Sequence, residues 1–193
     1  MYPLKVVGEC DPEKHGTRVT FKPDGEIFEE LVYDYDILQT RLREMAFLTK
    51  NLKIILRDDR EEKREQVFHY EGGIKEFVQY LNKNKEPLYP DIIYCEGTKN
   101  NVYVEVAMQH NDSYTENAYS FVNNINTPEG GTHLAGFKNA LTNTFNKYAR
   151  AAKLLKDNEP PLAGEDIREG LTAIVSVKIE DPQFEGQTKQ KLG

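Results

Sequence analysis

Four histidines, two cysteines and one glycine-bearing polar stretch near each end of the last third of the chain are the natural places to look for chemistry. His15, His69, His110 and His133 share no metal-ligand spacing, so they read as solvated or core-satisfied side chains. Cys10 and Cys95 are too few for a disulfide framework or a cysteine-rich zinc site, and a reducing cytoplasm fits them best. No G-x-S-x-G elbow and no phosphate-cradling P-loop is present. Glu61-Glu62 and Glu165-Asp166 read as charge pairs on solvated faces. Pro128-Glu129-Gly130-Gly131-Thr132-His133 reads locally as a tight turn with Thr132 as the N-cap of a helix. Gly186-Gln187-Thr188-Lys189-Gln190-Lys191-Leu192, taken alone, reads as a polar terminus.

These stretches sit between elements that can be read from periodicity. Leu4–Val7 and Arg18–Phe21 are expected to form a hairpin, which alone is marginal in water and calls for further strands. A helix follows, capped by Asp34 or Asp36, with Leu38, Leu42, Met45 and Ala46 on one face. Strands at 52–56 and 66–70 flank a charged tip, and Ile74, Phe77, Val78 and Leu81 mark a second helix. Three more strands are expected between Ile92 and Asn126; Val102, Val104, Val106 and Met108 alternate with Tyr103, Glu105, Ala107 and Gln109. The longest helix runs from Thr132 toward Leu154, with Leu134, Phe137, Leu141, Phe145, Tyr148 and Ala152 as its stripe, and Pro160-Pro161 stops it. A short helix at 164–169 and a buried strand at 171–179 complete the pattern. The order points to an α+β sheet with helices on one face and a parallel pair joined through the long helix, a connection that is ordinarily right-handed.

Composition narrows the function. The 193 residues are 38% hydrophobic and 30% charged, with 25 Lys and Arg against 32 Asp and Glu for a net charge of −7. An acidic surface is a poor stand-alone nucleic-acid binder, although the stretch from Lys147 to Lys156 is locally basic. No apolar run is long enough for a membrane span, and the N-terminus lacks the apolar core of a signal peptide.

Seven stretches in order carry more information than any one of them. Gly16-Thr17-x-Val19-x-Phe21-x-Pro23-Asp24, Arg41 through Leu48, Phe68-His69-Tyr70-Glu71-Gly72-Gly73, Asn123-Asn124-Ile125-Asn126-Thr127, Glu129 through His133, Arg168 through Ala173 and Phe184 through Lys189 together resemble the B subunits of bacterial DNA gyrase. The resemblance covers essentially the whole chain; the B subunit of topoisomerase IV is a paralogue with similar motifs. It implies a transducer domain at 26–193 with the α+β fold of the second domain of ribosomal small-subunit protein five, whose β-α-β crossover is left-handed, against the general rule. Residues 1–25 would be the last strands of a truncated GHKL ATP-binding domain. Thr17 would lie by the adenine, where aminocoumarin inhibitors also bind. Lys189 would contact the γ-phosphate of ATP, with Gln187 assisting. The implied cofactors are ATP and Mg²⁺ in the complete enzyme, with none held by this chain alone. The base, the metal ligand and the glycine-rich lid of the family fall upstream of Met1, so the chain is expected to be a piece that neither hydrolyses ATP nor cleaves DNA. The implied partners are the gyrase A protein in an A2B2 complex, duplex DNA, and a second copy of the B protein through the upstream ATP domain; the piece itself is expected to be monomeric. A stand-alone RNA-binding module of similar fold is the alternative from another class, and the acidic balance speaks against it.

Overall fold

The computed structural model describes residues 3, 5–13 and 15–193. The chain divides into two units, Met1–Asp34 and Tyr35–Gly193. In the first, the expected hairpin is not formed among the described residues, and Leu4 lies outside them. Val6, Val7, Val19 and Phe21 are exposed. A two-stranded ribbon with no third strand to lie against gains too little burial to offset the entropy of ordering it. Local order there comes from Asp24, whose carboxylate accepts from the Glu26 amide at 2.9 Å and whose carbonyl accepts from the Phe28 amide at 2.9 Å.

The second unit begins with α1 (Tyr35–Leu48), followed by a hairpin of β1 (Ile54–Asp58) and β2 (Arg64–Phe68) and by α2 (Ile74–Asn82). Next come β3 (Ile93–Lys99), β4 (Val102–His110), β5 (Asn117–Val122) and the two-residue β6 (Ile125–Asn126). The chain then runs through α3 (Thr132–Ala151), α4 (Gly164–Arg168) and β7 (Leu171–Lys178). The β1–β2 ladder starts two residues later in β1 and two earlier in β2 than periodicity predicts, pairing Ile54 with Phe68. Asn123 and Asn124 both take positive φ, 50° and 66°, which is how the two-residue turn between β5 and β6 acquires the twist that a hairpin needs.

Five strands form one sheet in the order β3-β4-β7-β5-β6. Its parallel pair is β5 with β7, the pair expected to be joined through the long helix, in the register Tyr119↔Ile174. The last strand in the sequence is therefore a middle strand of the sheet. That position accounts for Leu171 through Val177 being buried without alternation, since both faces of β7 are covered.

The expectation of helices on one face is corrected here. Helices α1 and α2 pack against Ala107, Phe121 and Ile174 on one side, with Phe47, Ile74, Phe77 and Val78 at the centre of that layer. On the other side Leu141 of α3 and Ile167 of α4 pack against Leu171 and Ala173. The alternation in β4 carries this signal, because Val104, Val106 and Met108 are as apolar as a core face while Ala107 serves the other face. Met45 also departs from its expected face: it is exposed, and Phe47 takes the buried place beside Ala46 and Leu48.

Only Leu141 and Ala149 of α3 are buried; Tyr148 is exposed, while the Phe145 ring lies 6.3 Å from that of His110 in β4. Leu141 is then the main apolar anchor of α3, and Leu141→Ala is expected to cost about 2–5 kcal/mol. Chemical denaturation of the two proteins measures this, and a loss under about 1 kcal/mol would mean that α3 is held by something other than Leu141.

On the α1–α2 face a buried polar group joins α2, β4, β7 and the residue that follows β4. The Thr172 hydroxyl donates to Asn82 Oδ1 at 2.7 Å, Asn82 Nδ2 donates to Gln109 Oε1 at 3.0 Å, and Asn111 Nδ2 donates to Thr172 Oγ1 at 3.2 Å. Each buried amide thus finds a partner, which such groups require when water is excluded. Sequence periodicity carries no trace of this network, since its members are distant in the chain.

Candidate functional site

The segment 183–193 folds into a small closed hairpin. Phe184 bridges to Leu192, the Glu185 amide donates to Lys191 O at 3.1 Å, and the Gly193 amide donates to Gln183 O at 2.8 Å. An ion pair of 3.0 Å between Lys191 and Glu185 lies alongside. The tip is a turn closed by the Lys189 amide donating to Gly186 O at 3.0 Å. Lys189 occupies the left-handed region at φ 56°, a conformation that a non-glycine residue holds at some cost and that recurs at functional turns. Gln187, Thr188 and Lys189 are all exposed at this tip. The Lys189 ammonium sits 5.8 Å from the centroid of the Phe184 ring and has no ion-pair partner among the described residues.

The hairpin is not a loose terminus. Its returning strand, Gln190 to Gly193, lies along the turn that opens α3: Glu129 N donates to Gln190 O at 3.1 Å, Leu192 N to Gly130 O at 3.1 Å and Thr132 N to Leu192 O at 3.2 Å. Leu192 is buried with Val122 and Val177. The expected role of Thr132 is corrected by the same contacts. Gly131 is the N-cap of α3, and the Thr132 hydroxyl donates to Gly193 O at 2.9 Å instead of capping the helix. Of the three residues expected to meet a nucleotide, Gln187 and Lys189 share this one turn, and Thr17 lies exposed in the first unit.

His133, one residue on and expected to be solvated or core-satisfied, is neither in full. The Thr127 hydroxyl donates to Ser120 O at 2.8 Å and lies 3.2 Å from His133 Nε2. The other ring nitrogen, Nδ1, is buried without a partner among the described residues. The ring borders an apolar groove of about 540 Å³ lined by Val104, Val106, Phe137, Ala140 and Val177 among others. Burial there holds its pKa below the ordinary 6.5, because the charged form is poorly solvated. The sign follows: the unfolded chain binds this proton more readily than the folded one, so His133 contributes stability that is complete above about pH 6.5 and declines as pH falls through the depressed value. The urea midpoint is expected to drop between pH 7.5 and 5.5 by less in His133→Gln than in the parent; equal drops would mean that His133 is free to charge in the fold.

A second polar cluster, at the β3–β4 side of the other face, is better satisfied. The Tyr94 hydroxyl reaches Glu96 Oε2 and Glu105 Oε1, each at 2.7 Å, and Lys50 Nζ lies 3.2 Å from Glu105 Oε1. Burial, followed by the adjoining carboxylates, pushes the Tyr94 hydroxyl far above its ordinary pKa. That keeps it a hydrogen-bond donor rather than a base. Among the described residues no group of three or more His, Cys, Asp or Glu is placed to hold a metal ion, and no helix is long and apolar enough to cross a membrane.

The fold matches those of solved ATPase and ATP-binding domains of gyrase B and topoisomerase IV proteins. The chain is similar to the solved 43K ATPase domain of Thermus thermophilus gyrase B in complex with an aminocoumarin (44% identity, TM-score 0.82, covering 98% of this chain and 51% of that one). It is also similar to the topoisomerase IV ATP-binding domain of Francisella tularensis (29% identity, TM-score 0.70, covering 88% of this chain and 45% of that one). The family model for DNA gyrase B matches residues 73–193. The DNA gyrase B protein of Clostridium acetobutylicum is 59% identical over 192 residues, which is 99% of this chain and 30% of the relative; that of Staphylococcus aureus is 53% identical, covering 100% and 30%. This chain belongs to the DNA gyrase B family. It spans about 30% of the length of these curated relatives.

Proposed function

We propose that this chain is the transducer of an ATP-driven type II topoisomerase, passing nucleotide binding and hydrolysis on to the gates that move one DNA duplex through another. The observation that carries the reading is the Gln187-Thr188-Lys189 tip, exposed while its flanks are tied to the body of the domain. Phosphoryl transfer is largely positioning and charge stabilisation, and a compact ammonium on a short tethered turn suits a γ-phosphate. Lys189 would neutralise charge on the γ-phosphate, Gln187 would assist it, and Thr17 would lie by the adenine. A loop ordered by that phosphate and released after hydrolysis converts chemistry into domain movement.

In this reading 26–193 is the transducer, with the left-handed β-α-β crossover of the ribosomal protein five domain-2 fold between β5 and β7. Residues 1–25 belong to the ATP-binding domain, whose remaining strands would give Val6, Val19 and Phe21 something to pack against. ATP with Mg²⁺ is the cofactor of the whole protein. Its partners are a second copy of the B protein, the gyrase A protein in an A2B2 assembly and duplex DNA, in the cytoplasm. Identities of 59% and 53% to curated gyrase B proteins favour negative supercoiling over decatenation as the net activity.

The test is a plasmid assay with the full-length protein in complex with its A-type partner. ATP-dependent negative supercoiling of a relaxed circle is the expected result. Relaxation and decatenation without supercoiling would favour topoisomerase IV, and no ATP-dependent strand passage would overturn the reading.

A further inference from the structure

Helix α3 begins with an N-cap that has no side chain, Gly131, and the amide of its first residue, Thr132, is satisfied by the carbonyl of Leu192. The strap from Gln190 to Gly193 therefore stands in for a capping side chain, satisfying one of the donors that a helix start leaves unpaired. Contact is close enough that a Cβ built on Gly131, at φ 131°, would lie 2.6 Å from Leu192 N and collide with Leu192 O. Two residues, Gln190 and Lys191, separate Leu192 from Lys189. The other flank of the hairpin is tied to the strap itself, through Phe184, Glu185 and Gln183.

We propose that the turn Glu129–Thr132 is the seat that sets the position of Lys189, and that Gly131 and Thr132 are positioning residues for ATP hydrolysis. Gly131 acts by leaving room for the Leu192 backbone. Thr132 acts through its hydroxyl, which holds the Gly193 carbonyl. The inference rests on the reading of Lys189 as the γ-phosphate contact, and it adds that the contact is made from α3. Because the strap is hydrogen-bonded to the turn that opens that helix, displacement of the lysine tip is handed directly to the N-terminus of α3.

The test uses the full-length protein and compares steady-state ATP hydrolysis for wild type, Gly131→Ala, Thr132→Val, Thr132→Ser, Lys189→Ala and Leu141→Ala. Gly131→Ala is expected to lower kcat by on the order of tenfold or more, since a displacement of about 1 Å suffices for such a loss. Thr132→Val is expected to lower kcat about fivefold, from one lost hydrogen bond, and Thr132→Ser to restore it to within about twofold. KM for ATP should stay within about twofold throughout, because the seat acts on the reacting phosphate and not on nucleotide capture. Leu141→Ala, which weakens α3 away from the seat, should keep its kcat per folded molecule. Should Gly131→Ala fail to fold, the Thr132 pair still decides. A Thr132→Ser as slow as Thr132→Val, or a Leu141→Ala equally slowed, would overturn the seat as a positioning device. If Lys189→Ala abolished turnover while both seat variants ran at the parent rate, the seat would be refuted and the lysine reading kept. An unchanged Lys189→Ala would overturn both.

Discussion

Replacing Lys189 with alanine in the full-length protein is expected to reduce ATP turnover by about 100-fold or more, the scale seen when one preorganised charge-stabilising donor is removed. Nucleotide binding should persist, because the contact is to a single phosphate. Folding should change by less than about 1 kcal/mol: the side chain is exposed, and alanine can hold φ 56° at a cost near that of lysine. Lys189→Arg, which keeps the charge but spreads it over a planar fork, should recover only part of the rate. Turnover and nucleotide binding measured side by side check this. A parent-like rate in Lys189→Ala would leave a domain of the right shape without the role assigned to its lysine turn, and an unfolded variant would mean that the turn is structural.

Phe47→Ala is expected to be more damaging to the fold than Leu141→Ala, costing about 3–5 kcal/mol. Phe47 is 1% exposed at the centre of the α1–α2 layer. Its ring stacks on Tyr70 at 3.6 Å and on Phe77 at 4.7 Å between centroids, so truncation removes contacts to the helix beside it and to the segment after β2. A domain of this size has only about 5–15 kcal/mol of net stability, so such a loss approaches unfolding at physiological temperature. Denaturant midpoints with matched slopes give the number. A cost under about 1 kcal/mol would show that α1 is not held on the sheet through this aromatic stack.

Membership in the gyrase B family was legible before any coordinates, through seven weak motifs in fixed order. The physical reason is that each motif serves a local need. Asn123-Asn124 supplies two left-handed residues for a tight turn, Gly131 leaves room for a crossing chain, and Gln187-Thr188-Lys189 places an amide and an ammonium on one tip. The helices and most strands were legible for the same reason, since 3.6- and two-residue periods are written by burial on one face. The parallel partnership of β5 and β7 could be anticipated, because a long helix between two apolar strands is the ordinary crossover.

Other features were set only by packing. That helices cover both faces of the sheet depends on β7 lying between β4 and β5, a long-range pairing that leaves no local mark beyond an unbroken apolar run. The first hairpin is absent among the described residues although its sequence favours strands, because strand propensity is realised only against a neighbouring strand. Asn82, Gln109, Asn111 and Thr172 looked like ordinary polar residues until the fold buried them together. The sequence alone determined which side chains the lysine turn carries. That this turn is seated on α3, with Thr132 turned from a helix cap into a tether, was decided by the tertiary structure, because hydrogen bonds between segments about sixty residues apart exist only once the sheet has brought them together.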